Sequence, residues 1–211
     1  AYDVIVVGAR VAGAATALLL ARAGLRVLAI DRATFPSDTI SSHQVQLPGI
    51  ALLHRWGVLD RLVRAGTPAT PRVRFDTGPV VLEGEFPVHD GVRALYSPRR
   101  TMLDTALIEA AREAGAEVLE GTRLTDLIVD GGAVRGVQGT RRGGVPWRAT
   151  APLVIGADEK HSAVAQRVGA RVYRWRPVGA FAADGELDGG AALAAHLLHR
   201  ILQAEALAVL P

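Results

Sequence analysis

The sequence contains no cysteine among its 211 residues. Disulfide bonds, thiolate metal sites and cysteine nucleophiles are therefore excluded, and a cytoplasmic protein is the simplest expectation. Lysine is almost absent too, because Lys160 is the only lysine among the 24 Lys and Arg residues. The arginines are spread along the chain and the net charge is only +3, so we expect no nucleic-acid partner.

Aromatic residues and long apolar runs are also scarce. Phe, Trp and Tyr make up 5% of the chain, so we expect a core of Ala, Val and Leu. No apolar run reaches the roughly 18 residues of a transmembrane helix, and no membrane span is predicted. No basic region precedes the first apolar segment, and no signal peptide is expected.

The segment from Ala1 to Arg32 has the pattern of a strand, a glycine turn, a helix and a second strand. The run Val4 to Val7 is typical of a buried parallel strand, and the turn Gly8 to Gly13 follows at once. Small and apolar residues then recur at helical spacing as far as Gly24, before a second run from Val27 to Ile30. This order is that of a dinucleotide-binding unit.

The turn has arginine, Arg10, where the usual pattern has its middle glycine. Glycine lets the backbone approach a pyrophosphate, and the N–H groups at a helix N-terminus favour its charge. Asp31 follows Gly13 at close to the spacing expected of an acidic residue that accepts bonds from a ribose. The alternative is an ordinary strand–helix start, in which Arg10 caps the turn and Asp31 and Arg32 are solvated.

The remaining pattern predicts an α/β fold. Helices are expected at Pro48 to Trp56, Val58 to Ala65 and Arg99 to Ala114, with short strands between the last two. A β meander is expected from Leu124 to Thr150, followed by the strand Leu153 to Ile155. Residues 171–211 are expected to form an irregular linker and a C-terminal helix. His196 and His199 on that helix are more typical of a solvated or packed face than of a metal site.

Four stretches together resemble the FAD-dependent oxidoreductases of the p-hydroxybenzoate hydroxylase fold, which include aromatic-ring monooxygenases and geranylgeranyl-reductase-like proteins. They are VVGARVAGAATALLLARAGLRVLAIDR, FPSDTISSH, YSPRRTMLDTALIEAAREAGAEV and LVIGADEKHSAVAQRVGA. The resemblance implies a doubly wound, Rossmann-like FAD-binding domain formed by residues 1–66 and 97–170. Residues 67–96 would be a partial substrate-region insertion.

The resemblance also implies a set of cofactor-binding residues, with no residue assigned as catalytic and no metal. By this resemblance, the turn and Asp31 would hold the adenosine of FAD. His43 would lie near the flavin, and Asp158 would bear on the pyrophosphate and the nicotinamide. A cation near a helix start is unfavourable, which independently predicts a phosphate or carboxylate partner for Arg100. The full set is Gly8, Ala9, Arg10, Val11, Ala12, Gly13, Asp31, Arg32, His43, Arg100 and Asp158.

Two departures from the family pattern bear on function. Glu159 stands where the family has glycine after Asp158, which adds an anion beside the expected pyrophosphate. A later Gly-Asp motif that contacts the flavin ribityl chain is not found, so the chain looks truncated.

The resemblance implies an NAD(P)H-dependent monooxygenase that acts on a small organic substrate, with aromatic compounds among the candidates. One alternative is a truncated, non-catalytic FAD-binding module whose uncovered apolar face leads to self-association. Another is a plain NAD-binding reductase, which leaves the Arg100 helix and the Asp158 segment unexplained.

Overall fold

The computed structural model describes residues 1–41 and 44–171. In chain order the elements are β1 (Val4–Val7), α1 (Val11–Arg22), β2 (Val27–Ile30), α2 (Leu47–Arg55), α3 (Leu59–Arg64), β3 (Ala69–Thr70), β4 (Arg72–Asp76), β5 (Val81–Glu85), β6 (Leu95–Tyr96), α4 (Arg100–Glu113), β7 (Glu117–Leu119), β8 (Arg123–Asp130), β9 (Ala133–Arg141), β10 (Val145–Thr150), β11 (Leu153–Gly156) and α5 (Ala163–Arg167). Within these two ranges no helix is both long and apolar enough to cross a membrane.

The centre of the fold is a four-stranded parallel sheet in the order β11-β1-β2-β7. All four residues of β1 and all four of β2 are buried. A strand with neighbours on both edges and cover on both faces needs a continuous apolar run, and each of these two strands provides one. The sheet and its connections give the Rossmann-like α/β fold that the sequence predicted.

Different elements cover the two faces of this sheet. Helices α1 and α4 pack against each other on one face, and the buried alanines Ala14, Ala17 and Ala21 of α1 allow a close approach. The antiparallel meander β10-β9-β8 and helix α5 cover the other face, through Leu127, Val137 and other buried residues. The sheet therefore lies between a helical layer and a second, antiparallel sheet.

Residues 67–96 form two small antiparallel pairs, β3 with β6 and β4 with β5. In the hairpin β4–β5, Val73 is 48% exposed and Leu82 is 58% exposed. One face of this hairpin is thus apolar and open to solvent. The assignment of residues 67–96 to a substrate region stays a prediction, as do the domain boundaries.

Several predicted features lie outside the described residues. They are His43, the linker and helix expected after residue 171, and the histidine pair His196 and His199.

The glycine turn after β1 packs so closely that side chains would not fit. A Cβ at Gly13 would lie 1.7 Å from the carbonyl oxygen of Gly8, and a Cβ at Gly8 would lie 2.4 Å from the carbonyl oxygen of Ala157. Gly8 also has φ of +96°, which glycine adopts without strain. These two glycines therefore bring the start of α1 against the ends of β1 and β11.

We expect Gly13→Ala to lower the free energy of unfolding by about 3 kcal/mol, because the new methyl group can be placed only by moving backbone. Chemical denaturation of the purified variant measures the loss. Gly84→Ala is the matched control, since a Cβ at Gly84 meets nothing within 4 Å, and it should change stability by less than about 0.5 kcal/mol. Equal effects of the two substitutions would contradict the packing argument.

Candidate functional site

A pocket of about 450 Å³ opens at the carboxyl ends of β1, β2 and β11. In the sheet, β2 and β7 lie on one side of β1, and β11 lies on the other side. The chain leaves β1 towards the first side and later returns to the second, so the pocket lies at a switch point of the sheet. Crevices at such points are the usual ligand sites of open α/β sheets, and the volume is within the range of small-molecule pockets. The lining residues are Val7, Gly8, Arg10, Ile30, Asp31, Arg32, Thr39, Thr122, Arg123, Leu124, Ala157, Asp158, Glu159, His161 and Ala163.

The N-terminus of α1 meets this pocket without a side-chain cap. Its N-cap residue is Arg10, which makes no side-chain cap hydrogen bond, and the first turn contains no acidic residue. The first N–H groups of a helix need partners, and the helix dipole favours an anion there. The arrangement therefore suits a phosphate or pyrophosphate group.

Asp31 connects the glycine turn to the end of β2. Its Oδ2 accepts a hydrogen bond from the N–H of Ala9 at 2.8 Å, and its Oδ1 accepts one from the N–H of Ala33 at 2.8 Å. A carboxylate has about four acceptor positions, so two remain for hydroxyl donors from the pocket. Asp31 is consequently both a structural acceptor of the turn and a candidate for holding a ribose.

Arg10 is held by three groups at the edge of the pocket. Its Nη1 donates to Oδ2 of Asp104 at 2.9 Å, its Nη2 donates to the Ser37 hydroxyl at 3.2 Å, and its guanidinium lies 5.6 Å from the centre of the Phe35 ring. A guanidinium fixed by hydrogen bonds and an aromatic face loses little freedom when it binds an anion. Arg10 therefore has the geometry of a preorganised cation.

The Asp104 carboxylate on α4 is 0% exposed and serves two arginines. Besides the bond from Arg10, it accepts bonds from Nε and Nη2 of Arg100, both at 3.1 Å. Burial raises the pKa of Asp104, and the two guanidiniums oppose that shift by favouring the charged form. Arg100 therefore has a carboxylate partner one turn further along the same helix, and its contact with a cofactor stays a prediction.

The Asp158 carboxylate caps helix α5. It accepts hydrogen bonds from the Ser162 hydroxyl at 2.6 Å and from the N–H groups of Ala163 at 2.7 Å and Val164 at 3.3 Å. The Ser162 hydroxyl in turn accepts from the N–H of Ala165. These bonds fix the segment between β11 and α5, and Asp158 also lines the pocket.

The structure brings most of the predicted cofactor residues together. The pocket is lined by Gly8, Arg10, Asp31, Arg32 and Asp158. Ala9, Val11, Ala12 and Gly13 occupy the adjoining turn and the first turn of α1. Arg100 does not line the pocket and reaches it only through Asp104 and Arg10. The binding roles of all these residues stay predictions.

Several residues at this site were not predicted from the sequence, among them Asp104 and the pocket-lining Thr39, Thr122, Arg123 and His161. Asp104 lies on the buried stripe of α4 with Leu107 and Ile108, and a carboxylate in such a stripe is a detectable signal. Arg123 is the first residue of β8 and lines the pocket, but no local pattern marks it.

Comparisons with known proteins agree with this geometry. Residues 1–189 match the family model described as FAD binding domain. The chain is 33% identical over 171 residues to the 6-methylpretetramide 4-monooxygenase of Streptomyces rimosus, covering 79% of this chain and 40% of that protein. It is 33% identical over 152 residues to the probable electron transfer flavoprotein-quinone oxidoreductase YdiS of Escherichia coli K12, covering 65% of this chain and 33% of that protein.

A solved structure is similar as well. The myxobacterial chondrochloren halogenase CndH, described as a variant of FAD-dependent halogenases, superposes with a TM-score of 0.66 at 27% identity, covering 75% of this chain and 38% of that one. The chain thus spans less than half the length of each of these proteins.

We expect Asp104→Asn to lower the free energy of unfolding by roughly 3 kcal/mol, because it leaves two largely buried guanidiniums without their shared anion. Thermal or chemical denaturation measures this. Glu109→Gln, an exposed position on the same helix, is the matched control and should change stability by less than about 0.5 kcal/mol. A loss at Asp104 no larger than at Glu109 would contradict the shared-anion interpretation.

Proposed function

The chain belongs to the FAD binding domain family, and on that premise we propose that it is the FAD-binding part of an NAD(P)H-dependent monooxygenase acting on a small organic substrate. The observation that carries the proposal is the uncapped N-terminus of α1, which meets a pocket at the switch point of a parallel sheet with Arg10 at its edge. Such a helix end is suited to a pyrophosphate.

The residues present fit the adenosine and pyrophosphate half of FAD. Gly8 and Gly13 let the start of α1 lie against the backbone at the ends of β1 and β11, which places the N-terminus of α1 at the pocket. The N–H groups at the start of α1 and the guanidinium of Arg10 are donors for phosphate oxygens, and Asp31 keeps acceptor positions for ribose hydroxyls. The site thus offers cationic donors for phosphate and an acceptor for ribose.

FAD supplies the redox chemistry when it is bound, and the protein supplies its binding and orientation. In this chain the preorganised Arg10 would hold the phosphates with little loss of its own freedom, and Asp31 would fix the ribose relative to β2. No described side chain is proposed as a general acid or base. NAD(P)H as electron donor, an organic and in particular aromatic substrate, and a cytoplasmic location rest on the resemblance and on composition alone.

A second candidate function is a truncated module that binds FAD without turnover. The exposed apolar face of the hairpin β4–β5 favours it, because a two-stranded hairpin whose apolar face none of the described residues covers is marginally stable by itself. In that case we also expect self-association of the chain through this face.

We expect FAD to bind with one molecule per chain and to be displaced by ADP but not by FMN, because the pocket fits the half of FAD that ADP shares. Equilibrium dialysis or flavin fluorescence with each competitor measures this. Displacement by FMN alone would overturn the assignment of the pocket to the adenosine half. Absence of FAD binding would overturn the proposed function.

We expect Asp31→Asn to weaken FAD and ADP binding equally, by about tenfold, since the ribose hydroxyls lose a charged acceptor. Titration calorimetry of both ligands measures the change. Asp130→Asn, at an exposed position outside the pocket lining, is the matched control and should bind as the unaltered chain does. Unfolding of each variant is followed in parallel, because Asp31 also holds the turn. Unchanged binding in a folded Asp31→Asn variant would remove Asp31 from the site.

Turnover separates the two candidate functions. We expect the FAD-loaded chain to oxidise NADPH or NADH with oxygen consumption, measured by the loss of nicotinamide absorbance and with an oxygen electrode. Retained flavin without such oxidation would favour the non-catalytic module. Sedimentation velocity across a concentration range then tests the self-association expected of it.

A further inference from the structure

Glu159 occupies an unusual backbone position at the pocket. It follows Asp158 just beyond β11 and has φ of +74°, in the left-handed region that favours glycine. It also lines the pocket. The chain therefore accepts backbone strain to place a carboxylate where a glycine would be relaxed.

The carboxylate of Glu159 faces Arg10. Its Oε1 lies 3.8 Å from Nε of Arg10, while Oδ2 of Asp104 lies 2.9 Å from Nη1 of the same guanidinium. The two carboxylates differ in freedom, because Asp104 is 0% exposed and the Glu159 side chain is 62% exposed. Asp104 is a fixed partner, and Glu159 is a displaceable one, as exposed ion pairs are weak.

An anion at the start of α1 would meet this second carboxylate. A pyrophosphate that approaches Arg10 must either displace Glu159 from the guanidinium or remain beside a like charge. A neutral ligand would face neither cost. Glu159 thus acts selectively against phosphate-bearing ligands.

We propose that Glu159 sets an upper limit on the affinity of this pocket for FAD and related pyrophosphates by competing with them for Arg10. This inference rests on the proposed function, since it concerns the same pocket. It identifies one exposed side chain that lowers the affinity for the cofactor.

Three substitutions separate charge from backbone strain. Glu159→Gln removes the charge and keeps the strain, Glu159→Gly removes both, and Glu83→Gln is the control at an exposed glutamate outside the pocket lining. We expect Glu159→Gln to bind FAD, ADP and inorganic pyrophosphate about three- to fivefold more tightly than the unaltered chain. Glu159→Gly should bind these ligands at least as tightly as Glu159→Gln, and it should also melt at a higher temperature than the unaltered chain. Glu83→Gln should change neither the affinities nor the melting temperature.

Titration calorimetry at low and high salt measures the affinities. The gain should shrink at high salt, because the interaction is electrostatic and exposed. If the unaltered chain binds FAD and both Glu159 variants bind it equally or more weakly, the role of Glu159 is overturned while the proposed function stands. If none of the four proteins binds FAD, the proposed function itself is overturned.

Discussion

The rest of the structure depends on the close contact between three pieces of backbone at Gly8, Gly13 and Ala157. The contact brings the start of α1 to the carboxyl end of β1 and brings β11, which is the last strand along the described chain, against the same point. Only glycine permits these distances, so the position of the helix N-terminus is decided by the absence of two side chains. The pocket exists because β11 and β2 flank β1 at this level.

A buried carboxylate shared by two arginines also links helix packing to the pocket. Arg10 lies at the start of α1, and its fixed partner Asp104 lies on α4, the helix that packs against α1. Because one buried carboxylate accepts hydrogen bonds from both Arg10 and Arg100, the packing of the two helices and the orientation of the pocket cation are coupled. A change that loosens the packing of α1 on α4 would therefore also release Arg10 from Asp104.

The sequence predicted what is encoded locally. The continuous apolar runs predicted β1 and β2 with their correct bounds, because a buried parallel strand has a distinct composition, whereas the helix between them begins and ends two residues earlier than the glycines suggested. A charged partner for Arg100 was also predicted, from the helix dipole alone. The link between Arg10 and Asp104 was not, because it joins residues 94 positions apart and only the packing of α1 on α4 creates it. Helix α5 was missed for a related reason, since five residues capped by Asp158 carry too little periodicity.

Cofactor binding and reaction type are encoded in different parts of such proteins. Proteins named as a monooxygenase, a quinone oxidoreductase and a halogenase share the part that this chain spans, so this part alone does not select among those reactions. In the proposed function this part determines how tightly and in which orientation a dinucleotide is held, through the glycine turn, Asp31 and the charges around Arg10. The replacement of a glycine by Glu159 acts on the affinity directly. Variation at this one position can therefore tune the occupancy of the flavin without altering the chemistry that the flavin performs.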